Sequence, residues 1–118
     1  MALHLELGRK GEAVARSYLE EQAYALLHVN WKSGRWEVDI VAAKDGLIIF
    51  VEVKTLMGEQ GGWPEQAVTS QKEERLRKVA AAYLEVTGIR PLDIRFDIIA
   101  ITYYDAGHYA LLHMEDAF

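Results

Sequence analysis

Cysteine is absent from the 118 residues, which excludes disulfide bonds and metal sites built on thiolates. No apolar run approaches the roughly 18 residues of a membrane-spanning helix. The first residues also lack the pattern of a secretory signal peptide. We therefore expect a cytoplasmic protein without a membrane segment.

Positive charge is scarce, because 13 Lys and Arg residues are outnumbered by 18 Asp and Glu and the net charge is −5. That balance argues against a dedicated nucleic-acid binder unless the cations are clustered. The chain also lacks internal repeats, low-complexity segments and linkers, and its 51% hydrophobic and 26% charged residues are typical of a globular protein. We expect residues 1–118 to form a single domain.

The strongest local signal is a predicted hairpin over residues 35–54. Two stretches rich in Val, Ile and Phe, at 35–43 and 47–54, are joined by Asp45-Gly46, a dipeptide typical of tight hairpin turns. If these two residues form the loop, Lys44 pairs with Leu47 and the register of every later pair follows.

That register places four ionisable side chains on one face of the hairpin. Asp39 would lie opposite Glu52, and Glu37 opposite Lys54. Two carboxylates with Cβ atoms about 4.5–5.5 Å apart repel, so a shared proton, a basic neighbour or a metal ion must neutralise them. Hard divalent cations prefer oxygen ligands, and the pair with Lys54 beside it fits metal-assisted phosphodiester hydrolysis. The other face would be wholly apolar, formed by Val38, Ile40, Ala42, Ile49, Val51 and Val53.

An amphipathic helix is predicted over residues 3–23, with Glu12 in the middle of its apolar face. Two interpretations of Glu12 are open: its stem covers apolar neighbours at the surface, or its carboxylate points over the sheet into the site. Gly8 and Gly11 would permit a close approach of this helix to the sheet.

A second helix is predicted over residues 70–87, with Ser70 and Glu73 as a capping box and Gly88 as its C-cap. Lys72 begins the buried face and would point towards the sheet.

The first turn also holds Gln71, and Arg75 belongs to a basic exterior that is either a DNA contact or simply a solvated face. The preceding loop, 55–67, is rich in glycine and carries Trp63. That ring would either stack on a base or pack back onto the domain.

The remaining pattern predicts strands at 23–31, 91–102 and 108–114, with His28 as a structural residue and an acidic C-terminal tail at an edge or frayed. The element order is then α-β-β-β-α-β-β, which indicates an α/β fold with a mixed sheet of about five strands flanked by helices.

Asp39 followed by Glu52-Val53-Lys54 resembles the signature of the restriction-endonuclease-like, or PD-(D/E)XK, superfamily. A longer match resembles the YraN-like family of predicted bacterial endonucleases, which is similar to archaeal Holliday-junction resolvases. The residues that carry the longer match are Gly8-x-x-Gly11-Glu12-x-x-Ala15, Tyr18-Leu19, Asn30, Glu37-x-Asp39, Phe50-Val51-Glu52-Val53-Lys54, Val68, Lys72 and Arg95-Phe96-Asp97.

The resemblance implies a catalytic constellation of Glu12, Asp39, Glu52 and Lys54, with Glu37 and Lys72 lining the site. Trp36 departs from the family, which usually has glycine there, and altered packing is expected.

The expected activity is Mg²⁺- or Mn²⁺-dependent cleavage of duplex or branched DNA. Asp39 and Glu52 would bind the metal, together with the Val53 carbonyl and Glu12, while Lys54 would act on the attacking water. Contacts to the substrate are expected from Lys72, Gln71, Arg75 and Trp63. A homodimer, by analogy with the resolvases, would supply two sites.

Two other hypotheses stay open. The chain would be a nucleic-acid-binding module that keeps the fold but cuts poorly, or Glu37–Lys54 would be a structural ion pair among solvated acids.

Overall fold

The computed structural model describes residues 2–58, 69–105 and 107–118, with side chains from Gly8 onwards. Trp63 and Val68 lie outside this description. The elements are α1 (Ala2–Glu21), β1 (Ala25–Ser33), β2 (Trp36–Lys44), β3 (Leu47–Met57), α2 (Ser70–Thr87), β4 (Asp93–Asp105) and β5 (His108–Met114). The predicted order of helices and strands is confirmed. Within the described residues, no helix is long and apolar enough to cross a membrane.

The five strands form one mixed sheet in the order β1-β2-β3-β4-β5. β3 and β4 are parallel and are connected through α2, whereas the other neighbouring pairs are antiparallel. Residues 47–51 of β3 and 98–101 of β4 are apolar on both faces, as expected of central strands that helices cover. The predicted α/β fold with a helix-flanked sheet is confirmed.

Each helix packs on its own face of the sheet. Ala15 and Leu19 of α1 are fully buried against Ile40 and Ile49 on one face. On the other face, Tyr83 of α2 packs edge-on against Phe50. The α2 cluster contains Val38, Val41, Ile48, Phe50, Leu76, Val79, Ala80, Tyr83 and Phe96. His28 is a structural residue, since its Nδ1 and the Tyr83 hydroxyl share a 2.7 Å hydrogen bond.

The hairpin turn has the predicted loop, because Asp45 and Gly46 both adopt positive φ, at 52° and 82°. Lys44 pairs with Leu47, and the predicted register continues as far as the pair Ile40–Val51.

Beyond that pair, two expectations were wrong. Within the described part of β2 and β3, Asp39 is not paired with Glu52 in the ladder, and Glu37 is not paired with Lys54. Val38 also leaves the apolar face assigned to it and packs in the α2 cluster. The physical reason lies at Asp39, whose Oδ2 accepts the Val53 N–H at 2.8 Å. A side-chain acceptor thus takes a backbone donor that the β2 ladder would otherwise use, and the strands separate.

The start of α2 is capped differently from the prediction. Thr69, and not Ser70, is the N-cap: it has extended backbone angles and its Oγ1 accepts the Lys72 N–H at 3.1 Å. Gly88 is confirmed as the C-cap, with φ of 71° and its N–H donating to the Leu84 carbonyl.

A buried ionic network joins β4, β5 and the C-terminal tail. Asp97 is fully buried and accepts two 2.8 Å hydrogen bonds from Arg95 and one of 2.8 Å from His113. Burial alone would raise the pKa of Asp97, but the hydrogen bonds from Arg95, His113 and the Asp116 N–H hold it below its usual value. The C-terminal tail is therefore tied down and not frayed, since Ala117 also donates to the sheet at 2.8 Å.

Candidate active site

An acidic cleft opens where β2 separates from β3. Its volume is about 250 Å³, and the first two turns of α2 form one wall. The strand separation at Asp39 creates the space, and Val38 and Leu76 form its apolar floor. The lining residues are Glu37, Val38, Asp39, Glu52, Lys72, Arg75 and Leu76.

Asp39 has a strongly perturbed carboxyl group in this cleft. Burial raises the pKa of Asp39 to about 6, against the lowering effect of the hydrogen bond from the Val53 N–H. The nearby charges of Glu12, Glu52 and Glu37 contribute to the same rise. Acids from three elements therefore act on the Asp39 carboxylate, although only Glu52 was expected to be its direct neighbour across the ladder.

Glu52 shares the cleft with a cation from α2. Lys72 Nζ lies 3.1 Å from Glu52 Oε1, and the two side chains are 21% and 23% exposed. The cap at Thr69 sets this geometry, because it starts the helix so that Lys72 falls in the first turn above the sheet. In this arrangement Lys72 neutralises one of the acids of the cleft.

Glu12 approaches Asp39 from α1, on the other side of the strand opening. A Cβ on Gly11 would lie 2.5 Å from Thr55 Oγ1, so the helix passes very close to β3 at this point. The close approach expected at Gly8 was wrong, since nothing lies within 4 Å of the position that a Cβ would take there. Glu12 is half-buried and accepts a long, 3.4 Å hydrogen bond from Asn30, a partner that the sequence did not suggest.

Lys54 follows Glu52 by two residues and shares its face by strand alternation. It is half-buried, and across the described ranges it takes part in no ion pair. The Glu37–Lys54 ion pair of the structural hypothesis is therefore not formed. Glu37 instead lies 3.9 Å from Lys32, in a solvent-exposed contact.

The donor set of the cleft fits a divalent cation with few protein ligands. Among the residues with described side chains, no three His, Cys, Asp or Glu stand in metal-binding geometry. Asp39 and Glu52 nevertheless each use one oxygen, for the Val53 N–H and Lys72, and in the same described set the second oxygen of each has no partner. Two free carboxylate oxygens, completed by water or a backbone carbonyl, suit Mg²⁺, which keeps several waters when bound.

A second depression, which we call the basic groove, adjoins the acidic cleft. Arg75 lines both, and Gln71 lines the groove. Its other lining residues are Arg35, Trp36, Glu74 and Lys78. Of the predicted substrate contacts, the structure thus brings Lys72, Gln71 and Arg75 to one surface, whereas Trp63 lies outside the described residues.

The sequence interpretation missed the role of Arg35 and Trp36 in this surface. The available signal was the Arg-Trp dipeptide directly before Glu37-x-Asp39, together with cations three residues apart on one helix.

Comparisons with known proteins give the family. The model of the uncharacterised protein family UPF0102 matches residues 11–101. A UPF0102 protein of Bacteroides thetaiotaomicron is 42% identical over 118 residues, covering 100% of this chain and 96% of the relative. One from Rhodococcus jostii is 39% identical with 100% of both chains covered, and one from Clostridium perfringens is 36% identical over 95% of this chain and 93% of the relative. The matched range includes Glu12, Asp39, Glu52 and Lys72. This chain therefore belongs to the UPF0102 family, the YraN-like family that its sequence resembles.

Proposed function

We propose that this protein is a divalent-metal-dependent endonuclease of the restriction-endonuclease-like superfamily that hydrolyses phosphodiester bonds in DNA. One observation carries the proposal: Asp39, with a pKa raised to about 6, stands among Glu12, Glu37 and Glu52 at an opening in the sheet. Such a concentration of carboxylates is costly unless a cation or a proton resides there, and functional sites are where such costs are found.

Asp39 and Glu52 would hold the metal through their free oxygens, with the Val53 carbonyl as a third ligand and Glu12 acting through water. A divalent ion bound there supplies Lewis-acid polarisation of the phosphate and lowers the pKa of a coordinated water. Lys54 orients the attacking oxygen and stabilises the negative charge that develops on the phosphoryl oxygens. Lys72 grips a phosphate oxygen once substrate displaces it from Glu52, and Glu37 tunes the field around these groups.

The charge of the cleft supports a polyanionic substrate only when the metal is present. Three carboxylates and two cations give its lining a formal charge of −1. One divalent cation changes this to +1, so metal binding and DNA binding should be coupled. Duplex or branched DNA is the substrate class that this surface would accept, and a homodimer would provide the two sites that double cleavage needs.

A second candidate function is a nucleic-acid-binding module that cuts weakly or not at all. The contact between Lys72 and Glu52 favours it, because an acid already neutralised at 3.1 Å has less need of a metal. The net charge of −5 also limits how tightly a single chain can hold DNA.

Thermal unfolding with and without Mn²⁺ or Mg²⁺ tests the metal site directly. Saturation at about a hundredfold excess over the dissociation constant stabilises a protein by roughly 2.7 kcal/mol, which is easily measured. We expect this stabilisation for the wild type and for Lys54→Ala, but not for Asp39→Ala or Glu52→Gln. Glu85→Gln is the matched control, because Glu85 is an exposed acid on α2 away from the cleft lining.

Cleavage of linear and branched DNA then separates the two candidate functions. Metal-dependent nicking that Lys54→Ala abolishes, without loss of metal binding, supports the endonuclease. Binding without cleavage across metals and substrates supports the module, and full nuclease activity in purified Asp39→Ala would refute the assignment of the site.

A further inference from the structure

The basic groove has a composition that the acidic cleft does not explain. It encloses about 390 Å³, and three of its lining side chains are cationic while one, Glu74, is acidic. The lining therefore carries a formal charge of +2 on a chain whose net charge is −5. Such a reversal of charge in one concave surface indicates a site for an anion.

Trp36 gives the groove a flat apolar element. The ring packs at the edge of the α2 cluster and stays half-buried, so that part of the indole faces the groove. The Arg35 guanidinium carbon lies 4.8 Å from the ring centroid, and Lys78 Nζ lies 5.5 Å from it. Both cations are exposed, and their contact with the ring keeps the positive charge beside the aromatic surface.

The cations of the groove are only partly neutralised within the protein. Lys78 lies 3.3 Å from Glu74, an exposed pair one helical turn apart that is easily exchanged for a phosphate. Across the residues with described side chains, Arg35 and Arg75 form no ion pair. Arg75 also lines the acidic cleft, so a backbone phosphate bound there would be next to the candidate cleavage position.

We propose that the basic groove binds unpaired nucleotides that flank the scissile phosphate, with Arg75 and Lys78 on the backbone and a base stacked on the Arg35–Trp36 pair. The position of this groove beside a scissile phosphate rests on the proposed function. Its affinity for single-stranded DNA does not. A duplex keeps the faces of its bases inside the stack, so an aromatic or guanidinium plane is useful only to a base that is unpaired. The substrate class that follows is DNA with a single-stranded segment, such as an overhang, flap or open branch.

The test measures binding without chemistry. A fluorescein-labelled oligothymidylate of about 12 nucleotides and a blunt duplex of the same length are titrated with protein in EDTA, by fluorescence anisotropy. We expect the wild type to prefer the single strand, and Trp36→Ala to weaken that binding roughly tenfold, the range of one base–aromatic stack. Trp36→Phe, which keeps a ring and most of the packing, should recover most of the affinity.

Two charge variants check the backbone contact. Arg75→Ala should lower the slope of log affinity against log salt by about 0.7, the value for one phosphate contact on a single strand. Arg90→Ala is the matched control, because Arg90 is exposed in the segment between α2 and β4, near the Leu47 end of β3 and far from the groove. It should leave both affinity and salt slope unchanged.

Equal affinity of Trp36→Ala and wild type for the single strand would overturn the proposal, as would a wild type that prefers the duplex. Circular dichroism and unfolding of each variant confirm that a lost affinity is not lost folding, and Arg35→Ala repeats the test at an exposed position.

The two proposals fail separately. If the wild type never cleaves DNA but Trp36→Ala loses affinity for the single strand, the proposal for the groove is supported and the proposed endonuclease function is refuted. If metal-dependent cleavage occurs with no preference for single-stranded segments, the endonuclease stands and the groove is refuted.

Discussion

Replacing Asp39 with asparagine should make the metal-free protein more stable at pH 8. The pKa of Asp39 is raised from 3.8 to about 6, chiefly by burial and then by the charges of Glu12, Glu52 and Glu37. Each pKa unit corresponds to about 1.4 kcal/mol, so the ionised carboxylate lowers the free energy of unfolding by about 3 kcal/mol. Asparagine does not ionise, and its oxygen can still accept the Val53 N–H that Asp39 accepts at 2.8 Å.

The sign of the pH dependence follows from the raised pKa. A carboxyl group that binds its proton more tightly in the folded state contributes stability below its unfolded pKa, and this contribution is lost as the pH rises through about 6. The advantage of Asp39→Asn should therefore be largest at pH 8 and fall by about half at pH 5. Urea unfolding of both proteins at the two pH values measures it, because titrations of the other groups cancel in the difference.

Addition of Mn²⁺ at pH 8 should cancel most of this difference in stability. The wild type gains roughly 2.7 kcal/mol at a hundredfold excess over its dissociation constant, whereas Asp39→Asn has lost a ligand and gains far less. If asparagine is neutral or destabilising in EDTA at pH 8, Asp39 is not an uncompensated charge and the electrostatic argument for the cleft is wrong. Glu85→Gln should show neither the pH-dependent gain nor the loss of the metal effect.

Three further predictions concern packing and charge. Gly11→Ala should lower the free energy of unfolding by about 1–3 kcal/mol because its added methyl group overpacks against β3, while Gly8→Ala should not lower it. Equal stabilities of the two variants in urea unfolding would refute the close approach of α1. Asp97→Asn should lower the free energy of unfolding by about 3 kcal/mol, because it leaves the largely buried Arg95 guanidinium without its carboxylate. A variant as stable as wild type in the same assay would contradict this. Lys72→Gln should increase the affinity for Mn²⁺, measured by calorimetry, because it frees Glu52, and it should weaken DNA binding. A lower affinity for the metal would contradict competition between Lys72 and the metal.

Much of the fold was predictable because local signals agreed with each other. Asp45-Gly46 fixed the hairpin register as far as Ile40–Val51, since both residues tolerate positive φ. The end of α2 was equally predictable, because Gly88 takes the left-handed conformation that few other residues adopt without strain.

The errors occurred where a side chain competed with the backbone. Asp39 accepts the N–H of Val53, which ends the ladder and carries Val38 to the other face. Periodicity assumes that strands stay paired, so it has no means of detecting this competition. The cap at Thr69 was missed for a similar reason, because two adjacent hydroxyl residues compete for one cap and backbone angles decide between them.

The sequence by itself determined the family, the order of elements and the identity of the acids, because motif spacing and turn chemistry are local properties of the chain. Only the tertiary structure decided how those acids meet. The opening of β2 from β3 brings Glu12, Glu37 and Glu52 within electrostatic reach of Asp39, and the start of α2 places Lys72 beside Glu52. The distances between residues far apart in sequence, and the burial that raises the pKa of Asp39, arise only when the helices close on the sheet.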